Sequence, residues 1–277
     1  MDNIEKERPE TGSYAYKLLL SDFLRERLMW SVIQTLKIPM GSRVLDIGCG
    51  IGSHTLMLAE TVGREGHVTG LDLSRDLLHH AKQRTGKSGQ WTNVTFQQGD
   101  MNRIPFDNDA FDWAWSVDCA GYAPGEPLSL INEIKRVVKP GGVIAILAWS
   151  SQQLLPGYPL LEARLNATSF GIAPFSKGKG PEAHFVRTLG RFQEAGLEEC
   201  KARTFVDDVF APLNKDVRNA LISLFEMRWG DPRSELTQED RTEYERLCQP
   251  ESPDFILDSP DYYAFFTYTL FRGKVAK

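Results

Sequence analysis

Three features of the chain predict an α/β fold with a doubly wound, mostly parallel sheet of seven strands. Between residues 43 and 148, strand-like apolar runs alternate with helix-like runs, a rhythm that implies a parallel sheet with helices on both faces. Several of those strand-like runs end at an acidic residue, Asp72, Asp100 or Asp118, so the candidate ligand groups gather at the carboxyl edge of the sheet. The first turn, Gly48-Cys49-Gly50-Ile51-Gly52, carries three alternating glycines from a strand into a helix.

Residues 1–13 are polar and read as a mobile tail. From Leu18 to Leu36, Leu20, Phe23, Leu24, Met29, Val32, Ile33 and Leu36 recur at helical spacing, which predicts an amphipathic helix. Pro39, Met40 and Gly41 end it. The first strand is Val44 to Ile47, and helices are expected at 53–62, 75–84 and 126–138. His67 to Ser74, Val94 to Met101, Phe111 to Asp118 and Val143 to Leu147 read as strands two to five. After Ser150 the rhythm breaks, and Pro156, Pro159, Pro174 and Pro181 mark a loop-rich insertion. A helix near 184–195, ended by Gly196, and a strand near 198–206 follow. Residues 207–258 read as mostly helical, with a stripe of Val217, Leu221, Leu224 and Phe225 and a capping signal at Thr237 to Asp240. Tyr262 to Arg272 is aromatic and suits a terminal strand.

These elements divide the chain into an N-terminal tail and helix (1–42), a ligand-binding core (43–149, 184–206 and 259–277) and two insertions (150–183 and 207–258). The insertions leave the core at the rim of the expected site, so they are expected to fold together as a cap over a substrate cavity. A surface elaboration or a dimer contact is the alternative.

The glycine turn discriminates between ligands. A dinucleotide fingerprint reads G-x-G-x-x-G. Here the third glycine comes one residue early, and Ser53 stands where that fingerprint has glycine. Asp46, two residues before the first glycine, would repel a pyrophosphate and attract an ammonium or sulfonium group. A strand turning through glycines into a helix is also expected to bring backbone N–H groups close to the ligand.

The run Asp46-Ile47-Gly48-Cys49-Gly50-Ile51-Gly52 resembles motif I, D-x-G-x-G-x-G, of the class I S-adenosylmethionine-dependent methyltransferases. The resemblance continues through Gly70-Leu71-Asp72-Leu73, Gly99-Asp100-Met101, the strand ending at Val117-Asp118, and Val138-Lys139-Pro140-Gly141-Gly142. It covers residues 40–150 and is similar in style to the ubiquinone and menaquinone methyltransferases, enzymes of small molecules. It implies a Rossmann-like methyltransferase fold whose last strand runs antiparallel beside the sixth, with S-adenosyl-L-methionine as cofactor and S-adenosyl-L-homocysteine as product. The resemblance also implies that Asp46, Gly48, Cys49 and Gly50 form the cofactor loop. Asp72 would take the ribose hydroxyls, Asp100 beside Gly99 the adenine amino group, and Leu73, Met101 and Val117 the walls around the nucleoside.

Asp118 is the candidate catalytic residue, because a carboxylate beside the transferred methyl group could take a proton; capping a helix is its other reading. Tyr14, Tyr16 and Tyr122 are candidates for holding substrate, with helix docking the alternative for the first two. His54 either approaches the cofactor's carboxylate or faces solvent. His184 reads as structural, His79 and His80 as a solvated face, and Trp113 and Trp115 as core.

Composition narrows the partners. The chain has 277 residues and a formal net charge of −5, which disfavours nucleic acid, since phosphate binding needs a basic face. The four cysteines Cys49, Cys119, Cys200 and Cys248 are widely spaced, so no disulfide framework and no metal is expected. Reduced thiols suit the cytoplasm. The apolar run from Val143 to Trp149 is too short to span a membrane. The sequence carries no sign of oligomeric state. The alternatives are a cofactor-binding protein of this fold without catalysis and an NAD(P)-dependent oxidoreductase.

Overall fold

The computed structural model describes residues 13–86, 91–122, 126–168, 171, 184–230 and 234–277. Residues 1–12, including most of the predicted tail, lie outside that set, as do Pro174 and Pro181. Among the described residues one seven-stranded sheet runs in the order β3-β2-β1-β4-β5-β7-β6. Its strands are β1 (Arg43–Ile47), β2 (His67–Asp72), β3 (Val94–Gln98), β4 (Phe111–Val117), β5 (Val138–Gln153), β6 (Leu197–Phe210) and β7 (Tyr263–Val275). Strands β1 to β5 pair in parallel, and β7 lies antiparallel between β5 and β6. Strand order reverses between β1 and β4, and open α/β sheets hold their ligands outside the strand ends at such a point.

The α-helices are α1 (Tyr14–Leu36), α2 (Ser53–Val62), α3 (Arg75–Gly86), α4 (Pro127–Val137), α5 (Pro159–Asn166), α6 (Thr188–Glu194), α7 (Lys215–Trp229) and α8 (Gln238–Cys248). Side chains alternate across each strand. On β5, Ala145, Leu147 and Trp149 join the core beneath α1 and α2, whereas Ile144, Ile146 and Ala148 join the core beneath α4 and α6. Trp113 and Trp115 are buried in the first of these cores, as expected.

Three expectations change. The first helix begins at Tyr14, four residues early, because Ser13 caps it by accepting the Tyr16 N–H at 3.1 Å. The expected boundary at residue 150 falls inside β5, which continues to Gln153 along β7. The first insertion is not all loop, since Pro159 opens α5, and proline is tolerated at a first helical position, where the missing N–H has no partner to lose. The buried Glu162 carboxylate ties α5 back to the end of β5, accepting the N–H groups of Leu154 and Leu155 at 2.9 Å.

The insertions do pack together. Arg164 on α5 pairs with Asp240 on α8 at 2.6 Å, and Trp229 Nε1 on α7 donates to Asn166 on α5 at 2.9 Å. They also share one apolar cluster with α1, in which Leu161, Leu165, Leu221, Phe225, Trp229 and Leu247 join Leu24 and Leu28. The two insertions and the first helix are therefore one packed layer.

Candidate active site

The loop after β1 turns through Gly48, Gly50 and Gly52, with φ of +74°, +55° and +82°, a region that favours glycine. A β-carbon at Gly48 would lie 2.2 Å from Cys119 Sγ, and one at Gly50 would lie 3.3 Å from Leu18 Cδ1. Glycine at these positions leaves room between the loop, α1 and the turn after β4. Four of the loop amides are already engaged within the protein. Gly48 and Cys49 both donate to the Leu71 carbonyl, at 2.8 and 3.0 Å, and Gly52 donates to Cys49 at 2.9 Å. Gly50 N–H donates to Asp72 Oδ2 at 2.9 Å. This corrects the expectation that the loop offers its N–H groups to a ligand. Strand β2 takes three of these four N–H groups, and the loop itself takes the fourth.

Asp46 also departs from its expected place. Its side chain is buried under the loop and accepts the Thr55 hydroxyl at 2.6 Å, and it does not line the cavity above. Burial pushes its carboxyl up to about 7, although the Thr55 hydrogen bond pulls the other way. The geometry gives it the task of tying β1 to the first turn of α2.

A cavity of about 240 Å³ is lined by Gly48, Cys49, Gly50, Asp72, Val117, Asp118 and Cys119 together with Tyr14, Leu18, Asp22, Arg25 and His54. Asp72 is held by two backbone donors, Gly50 at Oδ2 and Ser74 at Oδ1, both at 2.9 Å. Ser74 caps α3 as expected, accepting the Leu77 N–H at 3.3 Å, yet Asp72 also shapes that turn. A carboxylate has roughly four acceptor sites, so it keeps capacity for a ligand. Asp100 stands outside the cavity lining, its Oδ1 engaged by the Asn102 N–H at 2.8 Å. Gly99 N–H donates to the Asp72 carbonyl at 3.0 Å, which aligns the ends of β2 and β3. Met101 Sδ lies 3.8 Å from Cys119 Sγ, while Leu73 is exposed at the end of β2.

Sequence reasoning missed Arg25. Its Nη1 donates to Asp118 Oδ2 at 3.1 Å and to the Tyr268 hydroxyl at 3.2 Å, and its Nη2 lies 3.7 Å from Asp22. Burial works against the charge, but Tyr268, Asp22 and Asp118 outweigh it and hold the guanidinium above its ordinary range. Asp118 sits at φ +49°, a rare conformation for a side-chain-bearing residue. Its Oδ1 accepts the Trp149 N–H at 2.9 Å and its Oδ2 the Tyr268 hydroxyl at 2.7 Å. Burial pushes the Tyr268 hydroxyl and the Cys119 thiol up, the latter to about 12, so both stay protonated at neutral pH. His54 is buried rather than solvent-facing, and burial holds it well below its usual range.

A second cavity of about 210 Å³ shares part of its lining with the first. Both are lined by Tyr14, Leu18, Arg25 and Asp118. The second adds Leu24, Tyr122, Trp149, Leu224, Met227, Arg228 and Tyr268. Tyr14 and Tyr122 are thus brought together. Tyr16 is not: two residues is roughly 200° around a helix, and it packs instead against the core. A third cavity, about 350 Å³ between α1 and α2, includes none of Asp72, Asp100 and Asp118. His184 caps a short turn by accepting the Val186 N–H at 3.3 Å, the structural role expected of it.

A methyltransferase domain family matches residues 44–142. The demethylmenaquinone methyltransferase of Staphylococcus epidermidis is 38% identical over 195 residues, covering 65% of this chain and 78% of that protein. The chain belongs to the class I S-adenosylmethionine-dependent methyltransferases. The fold agrees with that of an S-adenosylmethionine-dependent methyltransferase from Aquifex aeolicus, with a TM-score of 0.52 at 18% identity over 94% of this chain and 97% of that one. It also agrees with Haemonchus contortus phosphoethanolamine N-methyltransferase 2, solved with phosphomonomethylethanolamine and S-adenosylhomocysteine. There the TM-score is 0.59 at 18% identity, over 96% of this chain and 58% of that one. This methyltransferase uses S-adenosylmethionine, and the oxidoreductase alternative is not favoured. Its loop fits that cofactor, because glycine at 48 and 50 leaves space that a β-carbon would fill beside the Asp72 carboxylate. No helix among the described residues is long and apolar enough to cross a membrane.

Proposed function

We propose that this methyltransferase alkylates a small, largely apolar acceptor held between α1 and α7. The carrying observation is that the cavity at the glycine loop and the cavity beside α7 share Tyr14, Leu18, Arg25 and Asp118. When bound, S-adenosylmethionine supplies a methyl group already activated on a sulfonium. In this reading Gly48, Cys49 and Gly50 form the floor of the cofactor cavity, Asp72 accepts from the ribose, and Asp100 lies on the adenine side with Leu73, Met101 and Val117 as walls. Tyr14 and Tyr122 border the acceptor, and the packed insertions form the cap that keeps water out.

Asp118 stands at the shared neck. For a hydroxyl acceptor, Asp118 would accept that hydroxyl's hydrogen bond through its remaining lone pair and hold its proton. Alignment of the acceptor supplies the rest. The net charge of −5 supports a small molecule over nucleic acid, and the four free thiols support a cytoplasmic setting. The relative's name makes naphthoquinols the first acceptors to try.

The test measures S-adenosylhomocysteine formation with a panel of naphthoquinols and phenols, using the wild type and Leu224→Trp. Turnover that the variant loses while keeping its affinity for S-adenosylhomocysteine supports the reading. Cofactor binding without turnover on any acceptor would favour the non-catalytic alternative.

A further inference from the structure

We propose that the cavity between α1 and α2 is a second ligand site, one that takes an elongated organic cation: an ammonium group held by Glu26 and Glu60, an apolar stem, and a hydrogen-bonding group that reaches His54. The cavity measures about 350 Å³, and the proposed methyl transfer leaves it unused. Residues three and four apart share a helix face. One face of α1 lines the cavity through Asp22, Glu26 and Trp30, and one face of α2 lines it through Ser53, Met57 and Glu60. The Ser53 hydroxyl donates to Asp22, which brings that turn of α1 against the first turn of α2.

The charges of the lining divide into two groups. Arg25 donates to Asp118 at 3.1 Å and lies 3.7 Å from Asp22. Arg84 Nη1 donates to the Ile51 carbonyl at 3.2 Å and the Ser53 hydroxyl at 2.7 Å, and lies 4.0 Å from Asp22. Asp22 and Asp118 thus offset the two arginines. Glu26 and Glu60 remain. Both are exposed, and among the described residues neither side chain has a hydrogen bond or an ion pair. The uncompensated charge is therefore negative, one carboxylate on each helix, and it favours a cation. The cation is organic. The described residues hold no group of three or more His, Cys, Asp or Glu side chains able to bind a metal. Phe23, Trp30 and Trp91 instead add aromatic rings to the lining, and aromatic faces attract an ammonium.

His54 supplies the second contact. It is the second residue of α2 and only 9% exposed. Its ring nitrogens have no hydrogen-bond partner among the described residues. Neither is sealed in the packing, so the ring opens onto the cavities it lines. A buried polar group without a partner is costly, and a ligand that supplies one removes that cost. Burial, with Arg25 and Arg84 nearby, holds the ring well below its usual pKa. The imidazole is therefore neutral, with one nitrogen to accept and one to donate. Glu60 lies six residues beyond His54 on α2, roughly 9 Å along the axis at about 1.5 Å per residue. A single ammonium does not meet both, which is why the ligand is elongated.

The test titrates tyramine calorimetrically into the protein in the presence of S-adenosylhomocysteine. Tyramine carries an ammonium and a hydroxyl at opposite ends of an aromatic stem; phenethylamine lacks the hydroxyl, and ethylphenol lacks the ammonium. Tyramine is expected to bind about tenfold more tightly than ethylphenol, as two exposed ion pairs would supply, and about fivefold more tightly than phenethylamine, for one hydrogen bond. Glu26→Gln and Glu60→Gln together are expected to abolish the first preference, and the fold tolerates them because both side chains are exposed and unpaired. The His54 ring nitrogen signals, followed by NMR, are expected to move as tyramine binds. Leu224→Trp, which fills the cavity beside α7, is expected to leave the affinity for tyramine unchanged. Equal affinity for tyramine and ethylphenol overturns the proposal, as does a preference that survives the double variant, a His54 signal that does not move, or a protein that binds no tyramine. Loss of tyramine binding in Leu224→Trp would also overturn it, by placing the amine in the acceptor cavity.

Discussion

Replacing Gly48 with alanine tests whether the glycine loop is set by the protein's own packing. At φ +74° an alanine pays the left-handed penalty, about 1–2 kcal/mol. Its β-carbon would also stand 2.2 Å from Cys119 Sγ and 2.5 Å from Cys119 Cβ. That overlap is with a side chain anchored on the turn after β4, so the neighbour must shift, at roughly 1–3 kcal/mol for overpacking. The two together are about 2–5 kcal/mol, a large part of the 5–15 kcal/mol typical of a folded domain. Urea denaturation followed by circular dichroism should show a lower midpoint for Gly48→Ala. Cys119→Gly removes both clashing atoms, so the double variant should recover the overpacking part, giving a favourable coupling of about 1–3 kcal/mol. A Gly48→Ala protein within about 0.5 kcal/mol of wild type, or losses that simply add in the double variant, would refute the packing argument.

Three further outcomes follow from the same geometry. Asp72→Ala removes the acceptor for the Gly50 and Ser74 N–H groups as well as the proposed ribose contact. Calorimetry should find S-adenosylhomocysteine binding weaker by about 1–3 kcal/mol; unchanged affinity would remove Asp72 from the cofactor site. Asp46, raised to about 7 by burial, binds a proton in the folded state that the unfolded chain releases near pH 4. Its contribution to stability is complete below pH 4 and falls as pH rises toward 7. Asp46→Asn should flatten that fall and be more stable than wild type at pH 8 by denaturant midpoint; a variant less stable there would sink the assignment. Asp118→Asn turns an N–H₂ toward Arg25 and Tyr268 or breaks the Trp149 bond. It should lower the thermal midpoint by the equivalent of about 1–3 kcal/mol, and an unchanged midpoint would show the network to be dispensable.

The sheet was legible because its signals are local. A buried parallel strand is an apolar run, and β1, β2 and β4 end at or next to the residues that mark their turns, Gly48, Asp72 and Asp118. Helix α2 spans 53–62, the range its spacing predicts. The insertions were harder. Pro159 reads as a loop signal, yet it opens α5 because a first-turn position tolerates it. The fate of Asp46 depends on register. Whether a strand-end carboxylate faces the ligand or lies beneath the loop is decided by which neighbour reaches it first, and here that neighbour is Thr55, nine residues along the chain. Arg25 was hidden for another reason. It sits in a helix that also carries Lys17, Glu26 and Arg27, and only the 93-residue separation from Asp118 closing in space singles it out.

Asp118 shows how these long-range contacts bear on the chemistry. Three donors, Trp149 N–H, Arg25 and the Tyr268 hydroxyl, already occupy its oxygens, which leaves about one of a carboxylate's roughly four acceptor sites. A residue so fully engaged is a fixed wall with a single opening, and it positions an acceptor better than it shuttles protons. An acceptor that reaches the neck already ionised needs no proton removed there. The neck then has one task, to align the reacting atom behind the methyl group, where alignment is worth more than base strength.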